Sequence, residues 1–390
     1  MKVEQIYKIV NDTTKAVLGE SGVVLEDFSN IVQIGTAIFD NNAVDNYVKG
    51  VINRIGKTIF VERAYKGQAP KVLMDAWEFG SILSKIRVSK LPEAEENEEW
   101  ELQDRAVYEQ DMFYKMDVEE KFYNGRTTYQ IPISIAEKQV KESFKNVDEL
   151  NRFFSMIQTA IYNSLRVKEE SLIMGTINHF TAMTIKAEVG SGNLYNRTGV
   201  KAVNVLYEYE QATGDTTLTP ATMLKSEAFI KFLSYKIKLI SSRLSRMSTL
   251  FNINGKENFT DEDRLHIVLL NDVATASDVY LQSDTYHNEL TKLPNGVDTV
   301  TYWEGSGTDF ALESVSKIHI KTAKGDEVEV PYILGVMFDR DSLGVSNLEA
   351  EVRSHYNAKA GFTNYWYCQT AGYFNDESES FVVLYASKQS

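Results

Sequence analysis

Apolar positions at helical spacing dominate the first third of the chain. Val3, Ile6, Tyr7, Ile9 and Val10 recur on one face, as do Tyr47, Val51, Ile52 and Ile55. Gly19 to Gly22 and Asn41-Asn42 punctuate these stripes, and Ile59 to Val61 predicts a short strand. Residues 1–80 therefore read as an arm with apolar stripes but no core of its own. The clearest helix starts at Asn146, which predicts a cap with Glu149 completing a capping box. Leu150, Phe153, Phe154, Ile157, Ile161 and Leu165 share one face, and the pattern runs on to Gly175. About 28 helical residues would span roughly 42 Å.

A second helix is predicted from Pro220 to Met247, with Phe229, Leu233, Ile237, Ile240 and Leu244 as its stripe. Strand patterns follow: Leu265–Leu270, a continuous apolar run suited to burial on both faces, then Val297–Tyr302, Ser316–Lys321 and Val328–Gly335. Gly, Asn and Thr crowd residues 190–220, which predicts a hinge there. Helices and strands in this order predict an α+β fold.

Between residues 81 and 135 the pattern changes. Pro92 to Phe122 holds twelve acidic and three basic residues, a local charge of −9 out of −14 for the whole chain. Lys115, Asp117 and Glu119 alternate with Met116 and Val118, and Thr127–Ile135 reads as a returning strand. The shape expected is a long, acidic β-hairpin. Its densest part, Glu95, Glu96, Glu98 and Glu99, reads either as a solvated loop or as an arm that docks on a basic surface of another subunit. It lacks the Asp-rich, Gly-centred spacing of a calcium loop. The second helix carries Lys225, Lys231, Lys236, Lys238, Arg243 and Arg246 against one acid, Glu227. That face is equally a solvated surface or an interface.

Signatures of catalysis are missing from the 390 residues. The five histidines, His179, His266, His287, His319 and His355, are dispersed, with no HExxH pair. There is neither a P-loop nor a GxSxG elbow. The single cysteine, Cys368, lies in an aromatic strand pattern and reads as a buried structural residue. The expectation is no enzyme, no metal and no cofactor. No apolar run approaches membrane-spanning length, and the N-terminus lacks a signal-peptide core. The acidic balance argues against a general affinity for nucleic acid.

The C-terminal segment has the strongest character. An apolar run, Ile333–Phe338, meets the charged turn Asp339-Arg340-Asp341 and then Leu343-Gly344-Val345. Two aromatic strand patterns follow, Phe362–Tyr373 and Phe381–Tyr385, with Asn375-Asp376 between them. This segment resembles the closing region of major capsid proteins of tailed bacteriophages, especially small podophages of Gram-positive hosts.

The resemblance implies the Hong Kong 97-like fold: an N-terminal arm (1–80), an extended loop (81–135), a peripheral domain with a spine helix (136–195 and 341–390) and an axial domain (196–340). It implies assembly through pentamers and hexamers into an icosahedral head around double-stranded DNA, contacted without sequence specificity. A scaffolding protein and a portal are the further partners implied, and the location is the virion, assembled in the host cytoplasm. Candidate interface residues are Glu95, Glu96, Glu98, Glu99, Lys231, Lys236, Lys238, Arg243, Asp339, Arg340 and Asp341. A head-decoration or tail protein, or a carboxylate-based hydrolase, stands as the alternative.

Overall fold

The structure is a computed structural model that describes residues 3–19, 22–25, 28–41, 43–51, 70, 83–88, 90–92, 94, 104–105, 115–136, 138, 147–190, 193–195, 197–281, 297–304, 311–321 and 327–388. Asn146, Ile52, Ile55 and the Ile59–Val61 strand lie outside these residues.

The long helix runs Val147–Val189, 43 residues, or about 65 Å. It passes through Gly175, where the sequence pattern predicted its end. The apolar stripe resumes beyond that glycine with Ile177, Phe180 and Ile185, all buried. The chain leaves the helix at Gly190, whose φ of +62° suits a residue without a side chain.

Five strands form the central sheet in the order β4-β12-β9-β5-β6: β4 (Ala202–Asn204), β12 (Phe381–Tyr385), β9 (Ile333–Asp339), β5 (Leu265–Leu270) and β6 (Val297–Val300). β9 pairs antiparallel with both β12 and β5, whereas the outer pairs β12–β4 and β5–β6 are parallel. Every residue of β9 and β12 is buried, as expected of apolar runs covered on both faces. Gly335 is required at the centre: a Cβ there would meet the Val268 carbonyl oxygen at 2.8 Å and collide with Leu269.

The predicted strand Val328–Gly335 is divided in the structure. β8 (Glu327–Val330) pairs with β7 (Ile318–Lys321), and β9 begins afresh at Ile333. Tyr332, at φ 53°, turns the chain between them. The predicted hinge at 190–220 is also corrected. It contains β4 and a helix, Val205–Thr213, whose first turn is capped by the Asn204 side chain accepting from Tyr207 N. Burial of Ala202 and Val203 beside β12 outweighs the local Gly/Asn/Thr composition. The second helix is Glu227–Leu244, shorter than predicted at both ends, and all five residues of its predicted stripe are buried.

A three-stranded antiparallel sheet, β10-β11-β3, lies beside the long helix: β10 (Leu343–Asn357), β11 (Phe362–Asn375) and β3 (Arg126–Ala136). β10 escaped the sequence reading, because Glu349, Glu351, Arg353 and His355 dilute its apolar signal. Pro132 lies in β3, at the edge of this sheet, where a missing N–H is tolerated.

Two apolar clusters result. One gathers the central sheet, the Glu227–Leu244 helix and the long helix from Ile173 onward. The other joins α1 (Val3–Leu18), α2 (Ile31–Asp40) and Tyr47, Val48 and Val51 to Ile157, Ile161 and Leu165 of the long helix and to β3 and β11. The N-terminal stripes thus find their core on other elements.

Candidate interaction surface

Two strands leave this body, β1 (Leu83–Val88) and β2 (Val118–Tyr123), paired antiparallel from Leu83↔Tyr123 to Val88↔Val118. A strand alternates its faces, and here the alternation is inverted relative to a folded core. Lys85, Arg87, Glu119 and Lys121 are half-buried against the body. Ile86, Val88, Val118 and Phe122 point to solvent, with Ile86 67% and Phe122 64% exposed. Leu91 and Met116, just beyond the strand ends, are exposed as well.

The inward face sits on the turn between β11 and β12. Lys85 Nζ donates to Asp376 Oδ2 at 2.9 Å, to the Asp341 carbonyl oxygen at 3.3 Å and to Glu379. Lys121 Nζ reaches Asp376 Oδ1 at 3.2 Å and donates to Ser378 Oγ. Arg87 donates to the carbonyl oxygens of Ser378 (3.1 Å) and Glu257 (3.2 Å), and Lys256 pairs with Glu119 at 2.9 Å. The Asp376 side chain is fully buried. Burial alone would raise its pKa, but Lys85, the Ser378 amide and Lys121 together hold it below the ordinary value of 3.8. Burial, with the neighbouring Asp376 charge, pushes the Tyr123 hydroxyl far up.

A carboxyl group with a lowered folded-state pKa contributes stability that is fully present above its unfolded value. That contribution is lost as pH falls through the lowered one. Urea unfolding from pH 7 down to pH 2 is therefore expected to show a steeper loss of stability below about pH 4 for the natural chain than for Asp376→Asn. Parallel curves would mean that Asp376 has no net charge coupling.

The turn Asp339-Arg340-Asp341 is organised around a residue the sequence reading did not single out. Arg264 donates to Asp339 Oδ1 (3.1 Å) and Asp341 Oδ2 (2.6 Å), and the Arg340 N–H donates to the Arg264 carbonyl oxygen (2.9 Å). Asp339 is buried, while Arg340 is exposed. On the basic helix, Lys231 pairs with Glu227 one turn back (2.7 Å) and Lys236 with Glu208 of the neighbouring helix (2.5 Å). Arg243 is exposed in the last turn, and Lys238 lies on the same helix. Lys236, Glu208, Tyr207, Phe232 and Tyr235 line an open groove of about 440 Å³. The structure thus brings Asp339 and Asp341 together on Arg264, and it places Lys231, Lys236, Lys238 and Arg243 along one helix. Glu95, Glu96, Glu98 and Glu99 lie outside the described residues. Lys85, Lys121, Asp376 and Glu379 were missed, because nothing local links residues some 290 positions apart.

A polar seam separates the two apolar clusters along the long helix. Asn347 Nδ2 donates to Glu169 Oε1 at 2.8 Å, and its Oδ1 accepts from Gln369. Farther on, Asn375 Nδ2 donates to the Thr176 carbonyl oxygen at 3.3 Å. The seam coincides with a bulge in β10 between Asn347 and Glu349. Cys368 is buried in β11. Among the described residues no group of three His, Cys, Asp or Glu is placed to hold a metal ion, and no helix is long and apolar enough to cross a membrane.

This architecture has solved counterparts. A chain in the structure of the head fiber and inner core protein of native bacteriophage P68 superposes with a TM-score of 0.50 at 8% identity, covering 82% of this chain and 85% of that one. The capsid of Staphylococcus phage Andhra gives a TM-score of 0.46 at 9% identity, with coverage of 84% and 87%. The capsid of the cyanophage P-SCSP1u gives 0.45 at 12%, with coverage of 83% and 88%. No curated protein matches the chain. The Phi29-like phage major capsid protein family matches it over residues 9–385, nearly its whole length. The α+β body with its long helix is thus the subunit of a phage shell, and the chain belongs to the Phi29-like phage major capsid protein family.

Proposed function

We propose that this capsid protein assembles through pentamers and hexamers into a closed icosahedral head, with the β1–β2 ribbon of each subunit lying apolar face down on a neighbouring copy. The observation that carries this reading is the inverted ribbon. Ile86, Val88, Val118 and Phe122 share the outward face in water, beside Glu120 and Ser84, while Lys85, Arg87, Glu119 and Lys121 are spent on the ribbon's own subunit. Soluble chains seldom leave such a face uncovered. Closed symmetry repeats the contact for every subunit, so modest contacts add up to a stable shell.

The acidic segment at Glu95, Glu96, Glu98 and Glu99 complements basic surface, including Lys231, Lys238 and Arg243, on a neighbouring copy. Arg340 and the outer side of Asp341 present a second charged contact, with Asp339 buried behind them on Arg264. The inner wall meets packaged DNA without sequence readout, in keeping with a net charge of −14. A scaffolding protein and a portal act as further assembly partners, in the host cytoplasm. The domain plan follows the family pattern: arm 1–80, extended loop 81–135, peripheral domain 136–195 with 341–390, and axial domain 196–340.

Electron microscopy of the purified chain, alone and co-expressed with neighbouring phage structural genes, tests this. Closed particles, or rings of five and six, are expected; a small oligomer under all conditions would overturn the reading. Reversing Glu95, Glu96, Glu98 and Glu99 to lysine is expected to block assembly with the subunit still folded. Intact shells from that variant would remove the acidic segment from the interface.

A further inference from the structure

The ribbon is attached to its own subunit in an unusual way. No described residue of β1 or β2 belongs to, or packs against, either apolar cluster. Tyr123 meets the Phe374 ring, with centroids 5.1 Å apart. The other side-chain hydrogen bonds and ion pairs described between ribbon and body run through Lys85, Arg87, Glu119 and Lys121, onto Asp341, Asp376, Ser378, Glu379, Lys256 and Glu257. Apolar area drawn from a core costs about 25 cal/mol per Å² to expose. An ion pair behaves differently, since the cost of desolvating two charges nearly offsets their attraction, and water recovers that cost when the pair parts. An element held by charge therefore separates more easily than one held by core packing, and it re-forms in one geometry.

We propose that Lys85 and Lys121, gripping the two oxygens of Asp376, form a latch that sets the pose of the ribbon and lets it open as a unit while the body stays folded. Lys85 takes Oδ2 and Lys121 takes Oδ1, so the carboxylate fixes both strands at once. The Ser378 amide donates to Asp376 Oδ1 at 3.0 Å and the Asp376 N–H donates to the Ser342 carbonyl oxygen at 2.7 Å, which anchor the carboxylate to the body. Glu379 is held from the other side by the Asn258 amide. The receptor half of the latch thus stays in place when the ribbon lifts. The use of this freedom rests on the assembly proposed above: the ribbon can adjust its angle as its apolar face meets a neighbour.

Native-state hydrogen exchange on the unassembled full-length chain tests the latch without requiring shells. Amides of 83–88 and 118–123 are expected to exchange through a lower-energy opening than those of 265–270 and 333–338. Lys85→Met/Lys121→Met is expected to speed ribbon exchange by about tenfold or more and to leave the central sheet unchanged. The single variants Lys85→Met and Lys121→Met each keep Asp376 paired with one ammonium, so they remain informative if the double variant fails to fold; each is expected to give a smaller acceleration. Ribbon and sheet opening together in the natural chain would overturn the proposal, as would unchanged ribbon exchange in both single variants. If shells never form but the exchange pattern appears, the assembly reading fails and the latch stands.

Discussion

Replacing both Ile86 and Phe122 by aspartate is expected to abolish particle formation while leaving the subunit folded. The two side chains are 67% and 64% exposed and share the outward face of the ribbon, Phe122 standing opposite Ser84 and Ile86 opposite Glu120. Neither belongs to an apolar cluster, so the cost to the isolated subunit should stay within about 0.5 kcal/mol each. At an interface the balance reverses. Each buried apolar side chain is worth about 1.5–3 kcal/mol, and each replacement would put an unpaired carboxylate into a drying contact. That loss recurs in every subunit of the shell. Particle counts by electron microscopy and thermal unfolding by circular dichroism separate the two effects. Shells at the natural yield would sink the docking face, and a large fall in melting temperature would show that the ribbon packs within its own subunit.

Phe381→Ala is expected to destabilise the body by about 3–5 kcal/mol, measured by urea unfolding. Phe381 stacks on Phe180 of the long helix with centroids 4.2 Å apart, and on Phe338 of β9 at 5.6 Å. His266 of β5 lies on the other end of the stack, 5.6 Å from Phe338. The stack thus ties the long helix to three strands of the central sheet, and removal of its Phe381 ring leaves a cavity where none of these elements can collapse freely. A change below 1 kcal/mol would mean that the junction is loosely packed. The polar seam at Glu169, Asn347 and Gln369 is the contrasting case. It joins the same helix to β10 and β11 by hydrogen bonds at the point where one apolar cluster gives way to the other.

What could be read in advance followed from local periodicity. The stripe Phe229, Leu233, Ile237, Ile240 and Leu244 and the run Leu265–Leu270 became a helix and a strand, because each carries its own burial signal. The C-terminal pattern, apolar run, charged turn and aromatic strands, carried the family resemblance, and the match over residues 9–385 agrees with it. β10 was invisible, since its buried partners lie across β11 and its own residues are mostly polar. The extension of the long helix past Gly175 was equally hidden. A mid-helix glycine costs about 1 kcal/mol, and packing of Ile177, Phe180 and Ile185 outweighs it.

By itself, then, the sequence determined the α+β class and the stripes that become cores, because side-chain period is a property of neighbouring residues. Only the tertiary structure decided what those elements meet. It set Arg264 between Asp339 and Asp341, put Lys85 and Lys121 on Asp376, and turned the apolar side of the ribbon outward. These are pairings between distant positions, fixed by which buried charges find a partner, and no local pattern encodes that choice.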